Sequence, residues 1–203
     1  MHTNFKNFMR SVVVLPVLTT SFAMNPVAGI AQSPIAAAIS PDQNRTLASE
    51  VTDNKRISLD REAAKIDAFF AKYKLPMEGY GKKLVYEADK NGLDPKIIAL
   101  IALEESTGCK FIIKGTNNCF GWGSGKIRFK SIDEGIETIA LAISGNDPET
   151  ERYYKGKSME QVLKIYNGHA NPEYLSDIAW LRKQIDRMEV PEVQVATANV
   201  KAS

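Results

Sequence analysis

Histidine is nearly missing from this chain: in 203 residues it occurs only as His2 and His169, and cysteine only as Cys109 and Cys119. That set lacks the ligand number and spacing of a zinc-type site, so neither a metal nor any other cofactor is expected. Long hydrophobic runs are missing too. The best candidate, residues 12–24, is interrupted by Pro16, Thr19 and Thr20. It falls short of the roughly 18 apolar residues that a bilayer span needs. Nor does one sign of charge dominate. Lys and Arg number 26 against 24 Asp and Glu, and two of the bases, Lys6 and Arg10, lie in the first 31 residues, which hold no acid. The remainder balances at 24 against 24, without the basic footprint of a nucleic-acid binder. Nucleic acid is not an expected partner.

What is present begins with an export signal. A basic start, the apolar stretch and small residues (Gly29 and Ala31, or Ser21 and Ala23) follow one another in residues 1–31, the order of a secretory leader. The expected location is therefore secreted, or periplasmic and cell-envelope, with membrane anchoring only if the leader stays uncleaved. Residues 32–57 are polar with no sustained apolar period and read as a flexible linker, and 191–203 as a disordered tail. Between them, 58–190 is one folding unit of ordinary single-core size, without internal repeats and expected to be a monomer. In an oxidising compartment Cys109 and Cys119 read as a disulfide closing a short loop.

Start and stop signals mark helices along that unit. Ser58 is the expected cap of a helix carrying Ala63, Ile66, Phe69 and Phe70. A second runs from about Gly79 to Asp89, and Asp94-Pro95 opens a third that holds Glu104 and Glu105. Ser131 with Glu134, and Ser158 with Gln161, have capping-box spacing. Asn171-Pro172 starts a last helix bearing Leu175, Ile178, Leu181, Ile185 and Met188. Residues 110–130 lack a helical period, and Phe111-Ile112-Ile113 and Ile127-Arg128-Phe129 are candidate short strands. The expected class is mainly α, with one small irregular or β lobe after the acidic helix.

That helix and lobe carry the chemistry. At about 100° per residue, Ile97, Ile98, Leu100, Ile101 and Leu103 share a broad apolar arc, with Glu104 near its centre and Glu105 to one side. Burial and the helix C-terminus both disfavour a carboxylate's charge, and a carboxyl kept protonated is what a general acid needs. Periodicity leans to Glu104 as the more buried of the two. About a dozen residues on, Asn117-Asn118-Cys119-Phe120-Gly121-Trp122 combines amides, glycine and aromatics, suited to the hydroxyls and apolar face of a sugar. Tyr153, Tyr154, Tyr166 and Tyr174 add phenols that both pack and hydrogen-bond.

Glu105-Ser106 at the end of an apolar helix, Asn117-Asn118-x-Phe120-Gly121, the Phe129-x-Ser131 helix start, and Tyr166 followed by Asn171-Pro172-Glu173-Tyr174 come in one order. In that order they resemble the bacterial glucosaminidase family of peptidoglycan-cleaving enzymes, over about residues 82–185. The resemblance implies a lysozyme-like fold and cleavage of β-1,4 bonds in the N-acetylglucosamine/N-acetylmuramic acid polymer. It implies Glu105 as the general acid, against the burial argument for Glu104. Asn117, Asn118, Phe120, Gly121, Trp122, Tyr166 and Tyr174 would line the cleft for peptidoglycan glycan strands.

This chain departs from the family's pattern in places. Glu104 stands where leucine is usual, Cys119 replaces the loop's leucine, and Asn171 replaces an aspartate. No second catalytic carboxylate is compelling, which leaves open a lytic transglycosylase or a route assisted by the substrate's acetamido group. Two further alternatives are a non-catalytic cell-wall-binding module and a cysteine peptidase using Cys119 and His169.

Overall fold

A computed structural model describes residues 41–168 and 172–191. The expected leader, residues 32–40 of the expected linker, His169, Asn171 and the tail after Pro191 lie outside the described residues. Among the described residues seven helices follow one another: α1 (Pro41–Lys72), α2 (Gly81–Lys90), α3 (Ile97–Ser106), α4 (Ile132–Ser144), α5 (Glu151–Tyr154), α6 (Met159–Asn167) and α7 (Pro172–Asp186). The chain is mainly helical, and no strand forms among the described residues.

The linker expectation is corrected from Pro41 onward, because α1 crosses the boundary expected at residues 57 and 58 and places Ser58 inside a helix. Pro41 occupies the first helical position, where its missing N–H costs nothing. No proline or glycine follows before Lys72. Residues 49–56 are exposed and tied by ion pairs such as Lys55–Asp89 at 2.9 Å. Apolar periodicity finds only the half that packs. That second half buries Ala63, Ile66, Phe69 and Phe70 against α2 and α7.

The molecule is organised around α3. Its residues from Ile97 to Leu103 are buried without exception, on every side, with α2, α4 and α7 packed around it. A helix surrounded in this way has no polar face. The expected apolar arc therefore becomes a full circle, and periodicity cannot rank Glu104 against Glu105. Both are half-buried, in the turn where the helix emerges from the core. The opposite end is fixed by charge. Asp94 Oδ1 accepts from Lys96 N–H at 2.9 Å and from Arg182 of α7 at 2.6 Å. The Lys96 ammonium pairs with Glu62 of α1 and with Asp186 of α7.

Two of the expected caps form. Ser158 and Gln161 make the reciprocal capping box of α6. Ser131 Oγ accepts from Glu134 N–H, while the Glu134 carboxylate accepts from Lys130 N–H, one residue short of the reciprocal bond. The two expected strands, 111–113 and 127–129, are corrected to irregular chain. Gly115, Asn117, Gly121, Gly123, Ser124 and Gly125 all have positive φ, so the chain joining the two segments turns repeatedly and does not lay them side by side as a hairpin. What ties the lobe across is Phe129 N–H to Thr116 O at 2.8 Å.

Candidate functional site at the end of the central helix

Helix α3 ends in a run of left-handed backbone, with φ of 55° at Thr107, 59° at Gly108 and 73° at Cys109. The run turns the chain back so that Cys109 bonds Cys119, as the sequence suggests. Ser106 adds a second tie: its hydroxyl accepts from Cys109 N–H at 2.9 Å and donates to Cys119 O at 2.6 Å. The loop carrying Phe120, Gly121 and Trp122 is thus fastened at two points to the turn that carries Glu105. Because Cys119 is bonded to Cys109, its sulfur is not a nucleophile, and the cysteine-peptidase alternative is excluded.

Cutting this tie has a calculable cost. Loop-closure entropy for the separation of 10 residues gives about 3 kcal/mol. Cys109→Ser with Cys119→Ser is expected to lose about that much in a denaturant titration. A loss below about 1 kcal/mol would show that Ser106 holds the loop without help.

The loop amides do other work than the sequence suggests. Asn118, only 3% exposed, donates from Nδ2 to Trp122 O at 2.8 Å and to Ile127 O at 3.1 Å. Its Oδ1 accepts from Phe120 N–H and Trp122 N–H. Two donors and two lone pairs are all a primary amide has, so none is left for a ligand. Asn117 is engaged likewise, donating to Phe129 O at 3.0 Å and Lys130 O at 3.2 Å. The Phe120 ring is fully buried in the core. These three residues hold the loop's shape: Asn117 and Phe120 line neither of the two cavities beside Glu105, and Asn118 borders the larger one with its amide committed to the loop's own backbone.

Gly121 is where the loop meets the acid. A Cβ built on it would lie 2.6 Å from Glu105 Oε2, so the glycine is what lets the backbone approach the carboxyl. On the other side stand two phenols. Tyr166 donates its hydroxyl to Phe120 O at 2.6 Å, which presents its ring beside Trp122 with centroids 5.6 Å apart. Tyr174, 2% exposed, sits beneath. Burial, and after it the charge of Glu105, raises the pKa of both phenols above the ordinary 10.0. Glu105 also acts on Tyr174 as a hydrogen-bond acceptor.

Two cavities meet at Glu105. The larger, about 650 Å³, is lined by Glu104, Glu105, Ser106, Lys110, residues 111–113, Asn118, Gly121, Ser124 and Gly125. The smaller, about 430 Å³, is lined by Glu105, Gly121, Trp122, Gly123, Ser124, Tyr166 and Asn167. Glu105, Gly121 and Ser124 belong to both, whereas Glu104 borders only the larger. No protein-family model, curated protein or solved structure matches this chain.

Of the residues singled out in the sequence, Glu105, Gly121, Trp122 and Tyr166 therefore come together around open space. Tyr174 supports them from below, and Asn117, Asn118 and Phe120 brace the loop. Sequence reasoning missed the cavity-lining side chains of Phe111, Ile113, Ser124 and Asn167. It also missed the bracing hydroxyl of Ser106. The signal for Phe111 and Ile113 was there in a short apolar run between Lys110 and Lys114, but it read as a strand. Among the described residues no group of three or more His, Cys, Asp or Glu could hold a metal ion, and no helix is long and apolar enough to cross a membrane.

The buried phenols make an alkaline prediction. Tyr154, Tyr166 and Tyr174 all have pKa values raised by burial. Their contribution to stability is complete below the unfolded pKa, about 10. Above it the unfolded chain loses phenolic protons that the folded chain keeps, so stability falls with rising pH. The slope approaches about 1.4 kcal/mol per pH unit for each phenol. Denaturant midpoints measured at pH 9 and pH 11 should fall, and Tyr174→Phe should flatten the decline. A flat profile would mean that the phenols ionise in the folded protein.

Proposed function

We propose that this protein is an exported peptidoglycan glycosidase of lysozyme-like fold. It cleaves β-1,4 bonds of the N-acetylglucosamine/N-acetylmuramic acid polymer, with Glu105 as the proton donor to the glycosidic oxygen. The observation that carries this reading is that three separate segments, the last about 60 residues beyond the first, converge on one carboxyl group. Those segments are the Glu105-Ser106 helix end, the Asn117–Gly121 loop, and Tyr166 with Tyr174. They are the motifs on which the glucosaminidase resemblance rests. Their meeting at the junction of two cavities is what a cleft enzyme requires, with reacting group and binding surface held on a rigid frame.

Trp122 and the ring of Tyr166 offer apolar faces on which a pyranose can stack. Ser124 and Asn167 supply polar groups beside them. Glu105 and Glu104 are the only carboxylates among the described residues that line the two cavities. As adjacent helical residues they point in different directions, so they cannot flank one bond as the two-carboxylate scheme demands. A single-acid route suits this set. Glu105 protonates the leaving oxygen as the substrate's own acetamido oxygen attacks the anomeric carbon. The Glu105 carboxylate then takes a proton from the nucleophile that opens the cyclic intermediate, either water, which gives a reducing end, or the substrate's own 6-hydroxyl, which gives an anhydro end. The second course makes a lytic transglycosylase.

Mass spectrometry of purified peptidoglycan after digestion tests the proposal. Reducing N-acetylglucosamine ends identify a glucosaminidase and reducing N-acetylmuramic acid ends a muramidase, whereas 1,6-anhydro ends identify a transglycosylase. The absence of new ends would overturn the catalytic reading in favour of a wall-binding module.

A further inference from the structure

The two cavities that meet at Glu105 are chemically unlike. The smaller has two aromatic rings with a hydroxyl and an amide beside them, as a saccharide ring requires. The larger has an apolar wall formed by Phe111, Ile112 and Ile113. Phe111 and Ile113 are each 51% exposed, although isolated exposed apolar groups are unremarkable and a contiguous row beside a reacting group is not. Gly125 stands against this wall, 3.7 Å separating a Cβ built there from Ile113 Cδ1.

The polar side chains of the larger cavity do not suit a sugar either. Ser106 is committed to Cys109 N–H and Cys119 O. The Asn118 amide is saturated by the loop's own backbone. Sugar hydroxyls entering here would lose water and find few replacements. Ser124 and Glu105 are shared with the smaller cavity, and the two remaining polar side chains that the larger one has to itself are both charged: the carboxylate of Glu104 and the ammonium of Lys110, which lies over the Phe111 ring at 5.7 Å from its centroid. Methyl-sized apolar surface beside both signs of charge is the complement of a short peptide.

We infer, resting on the glycosidase reading, that the larger cavity is a subsite for the peptide carried on the lactyl group of the glycan. Phe111 and Ile113 are its specificity-determining residues. The enzyme thus distinguishes peptide-bearing strands from bare ones, and the sugar to be cleaved from its neighbour.

Calorimetric titration of the Glu105→Gln protein with two soluble tetrasaccharides of the polymer, one bearing peptide on its lactyl groups and one without, tests this directly. The peptide-bearing ligand should bind about five- to tenfold more tightly, from the apolar area it covers. Phe111→Ser and Ile113→Ser, both at exposed positions, should each bring the ratio towards one. Equal affinity for the two ligands, or a ratio that neither substitution alters, would overturn the subsite. Products released by the wild-type protein report separately on the chemistry. Cleavage with an affinity ratio of one keeps the glycosidase and removes the peptide subsite. A peptide preference without cleavage does the reverse.

Discussion

Glu105→Gln is expected to lower glycan cleavage by about 10²–10⁴-fold, the usual contribution of a positioned general acid, while the protein stays folded. Glutamine keeps the length of the side chain and its packing against Gly121, where the space for any added atom is already used. What it removes is the transferable proton. The neighbouring Glu104→Gln is the control that decides between the two carboxyls. Glu104 borders one cavity and Glu105 stands at the junction of both, so the Glu104 variant should keep activity within about tenfold of wild type, short of a general acid's share. Release of reducing or anhydro ends from purified peptidoglycan measures both. If the Glu104 variant is the dead one, the resemblance has assigned the acid one residue too far along. If neither variant is impaired, the proton comes from elsewhere.

Much of the frame was legible because its determinants are local. The caps at Ser131 and Ser158 act within three residues of chain, and the bond between Cys109 and Cys119 spans a short loop. Helical class follows from such signals whatever the tertiary arrangement. The errors fall where tertiary context decides. The first half of α1 has no apolar period, and residues 49–56 are exposed, yet nothing in it breaks a helix. The full burial of α3 could not be read from its own sequence, since an all-apolar run looks alike with one partner face or with three. Asn117 and Asn118 have the composition of a sugar-binding loop. Whether an amide faces a ligand or its own backbone is settled only by where the carbonyls of Trp122, Ile127 and Phe129 come to lie. The same residue types served a different end, which is bracing the glycine that touches Glu105.

Gly121→Ala puts that contact to the test and should separate stability from activity. The added methyl meets Glu105 Oε2 at 2.6 Å, Cδ at 3.3 Å and Cβ at 3.5 Å. The nearest of these is the free end of a flexible side chain, so the fold relieves the clash by swinging the carboxyl aside. The direct stability cost is then mainly that of a non-glycine residue at φ +67°, about 1–2 kcal/mol, which is a shift of a few degrees in melting temperature. The catalytic cost is set by displacement of the acid. Misplacing a reacting group by about an ångström costs on the order of 10²-fold in rate. Thermal melts and end-release assays on the same preparation should therefore show a small thermal change with a loss of about two orders of magnitude in cleavage. Near-normal cleavage would mean that the carboxyl does its work from a position away from the loop, and that the approach of Gly121 to Glu105 is packing alone.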